Sequence, residues 1–217
     1  MTGSESFVLY VEASWSSPWV CASYVTLREK RLPFTTALSM LRTGTGIIDV
    51  MHERTLTGTA PVLQHGTFWL AESLAIVEYL EEVCPEPRMF PEDRQERARA
   101  RQLMAWMRHH HEALRRERPA EHVLYRRTLP APPPLTPEAA DAAAALVRVT
   151  ERLGADGRGA LFADRFGVVD VELAFALMRL TPADAAIPAR VADYVAAVLA
   201  RPSVREFLDH PRPPNPP

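Results

Sequence analysis

Cysteine is almost missing from this chain: Cys21 and Cys84 are the two among 217 residues. Two thiols build no disulfide framework, and their spacing fits no metal-ligand pattern, so both read as reduced cysteines. An excess of either charge is missing as well, since 25 Lys and Arg face 27 Asp and Glu for a formal net charge of -2. That balance gives no electrostatic case for nucleic acid or an anionic membrane, and a small neutral or zwitterionic ligand suits it better. No segment approaches 18 uninterrupted apolar residues, and the start MTGSESFVLYV lacks the basic and apolar regions of a signal peptide. A cytoplasmic protein with no membrane or nucleic-acid partner is the expectation.

What is present is a core-forming composition, 47% hydrophobic and 24% charged, with length enough for one large or two small domains. FVLYV at 7 to 11 is a buried-strand run. Pro18 suits the first turn of a helix, where its missing N–H costs nothing, and Val20, Tyr24, Val25 and Leu27 continue at helical spacing into the charged REKR. Residues 33 to 38, PFTTAL, read as a second strand, and Gly44 to Gly58 reads as loop with at most a short helix at 47 to 53. PVLQHGTFWL sets two apolar triplets around His65-Gly66, a hairpin with a two-residue turn. AESLAIVEYLEEV is a helix with Leu74, Val77 and Leu80 on one face and Ser73 as candidate cap.

From Cys84 the texture changes to a proline-rich connector, CPEPRMFPED, after which every periodic segment is helical. One helix sets Leu103, Trp106, Met107, His110 and Leu114 on a single stripe, and PAPPPLTP at 130 to 137 is a loop because successive prolines forbid helix and central strand. EAADAAAALVRVTERL, VVDVELAFALMRL and ARVADYVAAVLA are three further helices, and the tail HPRPPNPP has little to pack with. The expected fold class is α/β plus all-α, with a βαβ-ββα domain over residues 1–85, an all-helical domain over 86–210 and a disordered proline-rich tail over 211–217.

Certain short motifs recur in a telling order. A βαβ-ββα module has a third strand that begins at the proline of TAPVL, and Glu72-Ser73 then opens a helix; EDRQERARARQLMAWMR and VVDVELAFALMRL follow. This series resembles the cytosolic glutathione S-transferases, the first part their thioredoxin-like half and the second their helical half. More narrowly, SPWV, RARARQ, LRRERP and VVDVELA together resemble the bacterial YfcF-type transferases. The likeness covers nearly the whole chain apart from the tail. SPxV, xPVL and ES are each short, so their order and spacing carry it.

The resemblance implies an enzyme that uses glutathione as co-substrate, needs no metal and works as a homodimer. A thiol is a nucleophile as thiolate, and a hydrogen-bond donor beside a helix N-terminus lowers its pKa from about 8.5 towards neutrality. In SWSSPWV, Ser17 directly precedes Pro18, so its hydroxyl and the unpaired helix amides fall at one point. By resemblance Ser17 bonds the glutathione sulfur, with Ser14 and Ser16 as nearby competitors; as plain structure it is an N-cap. Around Thr59, the Ala60-Pro61 peptide is expected to be cis and to offer the Ala60 backbone to the cysteinyl part of glutathione. Pro61 as the mere start of a strand gives the same sequence. Glu72 suits the γ-glutamyl ammonium, and Ser73 with free helix amides suits its carboxylate. One departure stands out: LTGTA, with neutral Gly58 and Thr59, replaces the basic residues that relatives often carry before the proline, leaving Arg54 or His52 to meet the glycyl carboxylate.

The electrophile is expected where the two halves face each other, with Trp15, Trp19, Trp106, Met107, Arg108 and Tyr125 as candidate lining residues that serve equally well as core or dimer contacts. Conjugation, peroxide reduction and disulfide exchange all start from the same thiolate. His109, His110 and His111 point about 100° apart on a helix and cannot converge on a metal. Arg97, Arg99 and Arg101 spread around their helix beside Glu92, Asp93 and Glu96, a pattern of ion pairs more than a phosphate track. Asp170 matches the family's buried helix-capping aspartate, with Gly167 where a capping hydroxyl usually stands. Two other classes remain: a non-catalytic binding or regulatory module, and a thiol-disulfide reductase built on Cys21, which has no CxxC partner.

Overall fold

A computed structural model describes residues 6–39, 51, 53–125, 130–162, 165–181 and 183–213. The chain divides into two compact units, one running to Met89 and resuming at Asp209, the other spanning Phe90–Leu208.

The first unit is a four-stranded mixed sheet with two helices. Strands β1 (Phe7–Val11), β2 (Phe34–Leu38), β3 (Val62–His65) and β4 (Phe68–Ala71) lie in the order β2-β1-β3-β4. β1 pairs parallel with β2 and antiparallel with β3, and β3 pairs antiparallel with β4, the arrangement expected of a thioredoxin-like βαβ-ββα domain. Phe7, Leu9 and Val11 are buried along β1, which has neighbours on both sides, whereas β2 at the edge exposes Thr35, Thr36 and Leu38. Helix α1 (Pro18–Glu29) packs against α2 (Ser73–Val83) and buries Val20, Cys21, Tyr24, Val25 and Leu27. Lys30 closes this pair at the far end, where its fully buried ammonium meets Glu81 and the carbonyls of Cys84 and Pro87.

Two expectations shift here. The hairpin turn is Gly66-Thr67, not His65-Gly66, with Gly66 at φ 59. His65 stays in the strand because its ring stacks on Phe7, centroids 4.1 Å apart, and its Nδ1 bonds the Tyr79 hydroxyl at 2.7 Å. Of the short helix expected at 47 to 53, residues 51 and 53 are helical, as is residue 54 just beyond it, and the rest lies outside the described residues.

The second unit is helical: α3 (Arg94–His110), α4 (Glu112–Glu117), α5 (Ala120–Leu124), α6 (Pro137–Arg152), α7 (Val168–Met178), α8 (Ala189–Leu199) and α9 (Pro202–Leu208). The single stripe expected across 103 to 114 breaks at His111, which has φ -114 and separates α3 from α4. The break rotates the pattern, so His111 is buried and His110 is exposed. Asp93 caps α3 by accepting from the amides of Gln95 and Glu96, both at 2.9 Å. The proline-rich stretch is tied down by Arg118, 2% exposed, which donates to the Pro133 carbonyl and grips Asp184, while Glu117 accepts from the Thr136 amide and hydroxyl.

Helix α7 is apolar on every side and sits at the centre of this unit, so its two acids must find partners inside. Glu172 chelates the Arg108 guanidinium at 2.5 and 2.6 Å. Asp170, wholly buried, accepts from the Gly167 amide at 2.8 Å, the Leu161 amide at 3.0 Å and the Tyr194 hydroxyl at 2.9 Å, pinning the start of α7 to a loop and to α8. Gly167 supplies no side chain, so the aspartate forms its half of the capping box alone. Burial outweighs these three donors and pushes the Asp170 carboxyl up to about 7 from the usual 3.8.

Between those two values the folded chain holds a proton that the unfolded chain has lost, so the Asp170 contribution to stability falls as pH rises from about 4 to about 7. Asp170→Asn is therefore expected to be less stable, by about 1–3 kcal/mol for the lost capping geometry. Its stability is also expected to vary less with pH across that window, as read by urea unfolding within and above it. A wild-type and variant pair with parallel pH profiles would show that Asp170 does not titrate there.

Candidate functional site

The strand register decides which residues meet. Tyr10 faces Val62, and Val62 faces Ala71. The residues that follow β1, precede β3 and follow β4 therefore leave the sheet at the same end, on neighbouring strands about 4.8 Å apart. They are Glu12 to Ser17, Thr59 to Pro61, and Glu72 with Ser73.

Each arrival has a local cause. Ser17 has extended backbone, φ -69 and ψ 123, and its hydroxyl accepts from the Val20 amide at 3.4 Å as N-cap of α1, with Pro18 at the first helical position. The three serines separate in role: Ser14 and Ser16 are buried and share a hydrogen bond of 2.8 Å, while Ser17 is partly exposed. Glu12 holds this loop from beneath, its Oε1 accepting from the amides of both Ser16 and Ser17 at 2.6 Å. Trp15 has φ 47, a left-handed conformation that aromatic residues seldom take.

The Ala60-Pro61 peptide is cis. Gly58 ahead of it has φ 65 and donates its amide to Thr55 Oγ1 at 2.9 Å, and the Thr59 hydroxyl donates to Glu72 Oε1 at 2.8 Å. Ser73 turns out not to be the cap of α2: it is the first helical residue, buried, and Glu72 holds the N-cap position without a side-chain capping bond. The first turn of α2 thus keeps amides that no side chain of Glu72 covers, beside an exposed carboxylate, a setting for a ligand with both an anionic and a cationic group.

The expected electrophile residues fare unequally. Trp15, Met107 and Tyr125 are buried, at 5%, 4% and 6% exposure. Arg108 is held by Glu172, and Trp19 is half-buried. Trp106 is half-buried and borders a cavity of about 580 Å³ in the helical unit, walled by Leu103, Val149 and Leu153 with Arg99 and Arg152 on its polar side. Cys21 is completely buried. Arg54 lies over the Trp69 ring, 4.9 Å from its centroid, and His52 falls outside the described residues.

Sequence reasoning missed three residues around this loop: Glu12, His210 and Arg212. An acid directly after the apolar strand and just ahead of a helix start was a usable signal for Glu12. For the other two there was none, since Arg212 Nε reaches the Trp15 carbonyl, at 3.1 Å, across 197 residues. The tail from 211, expected to be disordered with little to pack with, does place Arg212 against Trp15; residues 214–217 lie outside the described residues.

The first unit thus brings two helix starts and a cis-proline to one end of a thioredoxin-like sheet, and a helical unit follows it in the chain. Comparison with known proteins makes this specific. Residues 16–83 match the family model "Glutathione S-transferase, N-terminal domain" and residues 93–211 match "Glutathione S-transferase, C-terminal domain". The chain belongs to the glutathione S-transferase superfamily. A glutathione transferase homolog from Burkholderia, solved with bound glutathione, is 33% identical with a TM-score of 0.76, covering 94% of this chain and 97% of its own. A glutathione S-transferase from Rhodospirillum rubrum is 26% identical with a TM-score of 0.68, covering 96% of each chain. Among curated proteins, glutathione S-transferase theta-1 of Bos taurus is 34% identical over 96 residues, 44% of this chain and 39% of that protein. The match therefore spans about two fifths of that relative's length.

Glu72 has φ 71 and ψ 111, outside the regions open to a residue with a Cβ, at a cost of about 1–3 kcal/mol. Glu72→Gly is expected to raise stability by about 1 kcal/mol net of glycine's greater unfolded freedom. Glu72→Ala keeps the Cβ and is expected to show no such gain. Equal urea midpoints for the two variants would show that position 72 is not strained.

Proposed function

We propose that this protein is a glutathione transferase of the bacterial YfcF-type group, holding the glutathione sulfur as thiolate at Ser17. The observation that carries this reading is the convergence of Ser17, Ala60 with cis-Pro61, and Glu72 with Ser73 at one end of the sheet in a chain of this family. The Ser17 hydroxyl serves two partners: its lone pair accepts from the Val20 amide and its proton is donated to sulfur. The positive end of α1 favours the same charge. The Ala60 backbone pairs with the cysteinyl part of glutathione, with Thr59 beside it. The Glu72 carboxylate takes the γ-glutamyl ammonium, and Ser73 with the first-turn amides of α2 takes its carboxylate.

The thiol proton leaves to solvent, and the sulfur lone pair then forms the new bond to a small hydrophobic electrophile, a peroxide oxygen or a disulfide sulfur while the leaving group departs with its electron pair. Neutral Gly58 and Thr59 themselves supply no cation for the glycyl carboxylate and leave that role to Arg54 or His52, which points to modest glutathione affinity. Cytoplasmic location and a homodimer complete the reading. The complete burial of Cys21 gives the reductase alternative no support.

Titration of reduced glutathione, followed by thiolate absorbance, tests this. Wild type is expected to saturate with a thiol pKa below the free value of about 8.5. Ser17→Ala is expected to raise that pKa and lower kcat/KM by about 10²-fold, Glu72→Ala to weaken binding, and Cys21→Ala to change neither. Absence of saturable binding in the wild type would overturn the transferase reading in favour of a non-catalytic module.

A further inference from the structure

The loop that presents Ser17 is also held by the C-terminal segment. Trp15, two residues before Ser17, sits at φ 47, and such a conformation persists where surrounding contacts over-determine it. Those contacts come from two directions. Within the sheet unit, the Trp15 amide donates to the Glu12 carbonyl at 3.2 Å, and its indole meets Tyr24 of α1 edge-on, centroids 5.7 Å apart and planes at 79°. From the C-terminal segment, the His210 ring stacks on the same indole, centroids 3.6 Å apart and planes 12° from parallel.

Arg212 completes the grip. Its Nε donates to the Trp15 carbonyl at 3.1 Å and its Nη1 to the His210 carbonyl at 3.0 Å, so one guanidinium ties the tail to the loop and fixes the stacked histidine. These are charge-assisted bonds in a partly buried setting, stronger than neutral ones. Ser16 and Ser17 are linked to the clamped residue through Glu12, whose carbonyl receives the Trp15 amide and whose carboxylate receives theirs. A displacement of Trp15 is therefore passed to the backbone of Ser17 and to the first turn of α1.

We propose that His210 and Arg212 are positioning residues: the C-terminal segment clamps Trp15 and thereby sets where the Ser17 hydroxyl stands in the transferase reaction. The catalytic half of this statement rests on the reading of Ser17 given above, whereas the clamp itself does not. Neither residue touches glutathione; both act through Trp15.

The test uses full-length His210→Ala, Arg212→Ala and Arg212→Lys. Amide hydrogen exchange needs no ligand and reads the clamp directly: exchange at Ser16 and Ser17 is expected to quicken about tenfold in Arg212→Ala and His210→Ala, with urea midpoints near wild type and with Arg212→Lys, which keeps a donor, largely restored. In the same variants kcat is expected to fall about tenfold and the thiol pKa of bound glutathione to rise, with KM for glutathione much less affected. Unchanged exchange at Ser16 and Ser17 in Arg212→Ala overturns the clamp whatever the activity does. Quickened exchange with wild-type thiol pKa and kcat overturns the positioning role. A wild type that binds no glutathione refutes the transferase reading separately, and with it the positioning role, while exchange still decides the clamp.

Discussion

The antiparallel register of β1, β3 and β4 is the constraint on which the site depends. Val62 is paired on both sides, with Tyr10 and with Ala71, so neither neighbour can slip by one residue without turning its buried side chains outward. Leu9, Val11, Val62 and Leu63 are all at or near zero exposure, which makes such a slip costly. Once that register is set, three segments far apart in the chain end side by side. The two helices that start there, α1 and α2, bring their first-turn amides to the same place. The proposed glutathione chemistry rests on that meeting of helix starts more than on any one side chain.

Strain and support are concentrated at this end of the sheet. Trp15 and Glu72 both have positive φ without being glycine, and each lies within two residues of a proposed glutathione contact. Around Trp15 the supports are a carboxylate beneath the loop and a guanidinium with a stacked imidazole from the C-terminal segment. Around Glu72 the support is the Thr59 hydroxyl. The helical unit uses buried charge differently. Asp170 and Glu172 on α7 are held by amides, a tyrosine and an arginine, and removing a partner from such a group costs far more than the intact arrangement contributes.

Much of this was legible in the residues. Pro18 at the start of α1 with Ser17 before it, the strand FVLYV, and the capping role of Asp170 are all encoded within a few positions, where local backbone chemistry decides. The errors share one physical origin. The split between α3 and α4 at His111 lies inside a periodic run that no glycine or proline interrupts. His65 belongs to β3 because Phe7 and Tyr79 hold its ring, contacts that its neighbours in sequence do not announce. Ser73 looked like a cap, yet Glu72 takes that position with a backbone that a propensity argument would reject.

The sequence by itself determined the fold class, the order of the strands and the longer helices, and the residue types offered at the starts of α1 and α2, because periodicity, proline placement and capping are local. Only the tertiary structure decided which of Ser14, Ser16 and Ser17 stays partly exposed, that Glu12 carries the loop, and that Arg212 reaches back to Trp15. Those outcomes depend on strand register and on contacts across nearly the whole chain, and burial is a property of the packed molecule that no window of sequence contains.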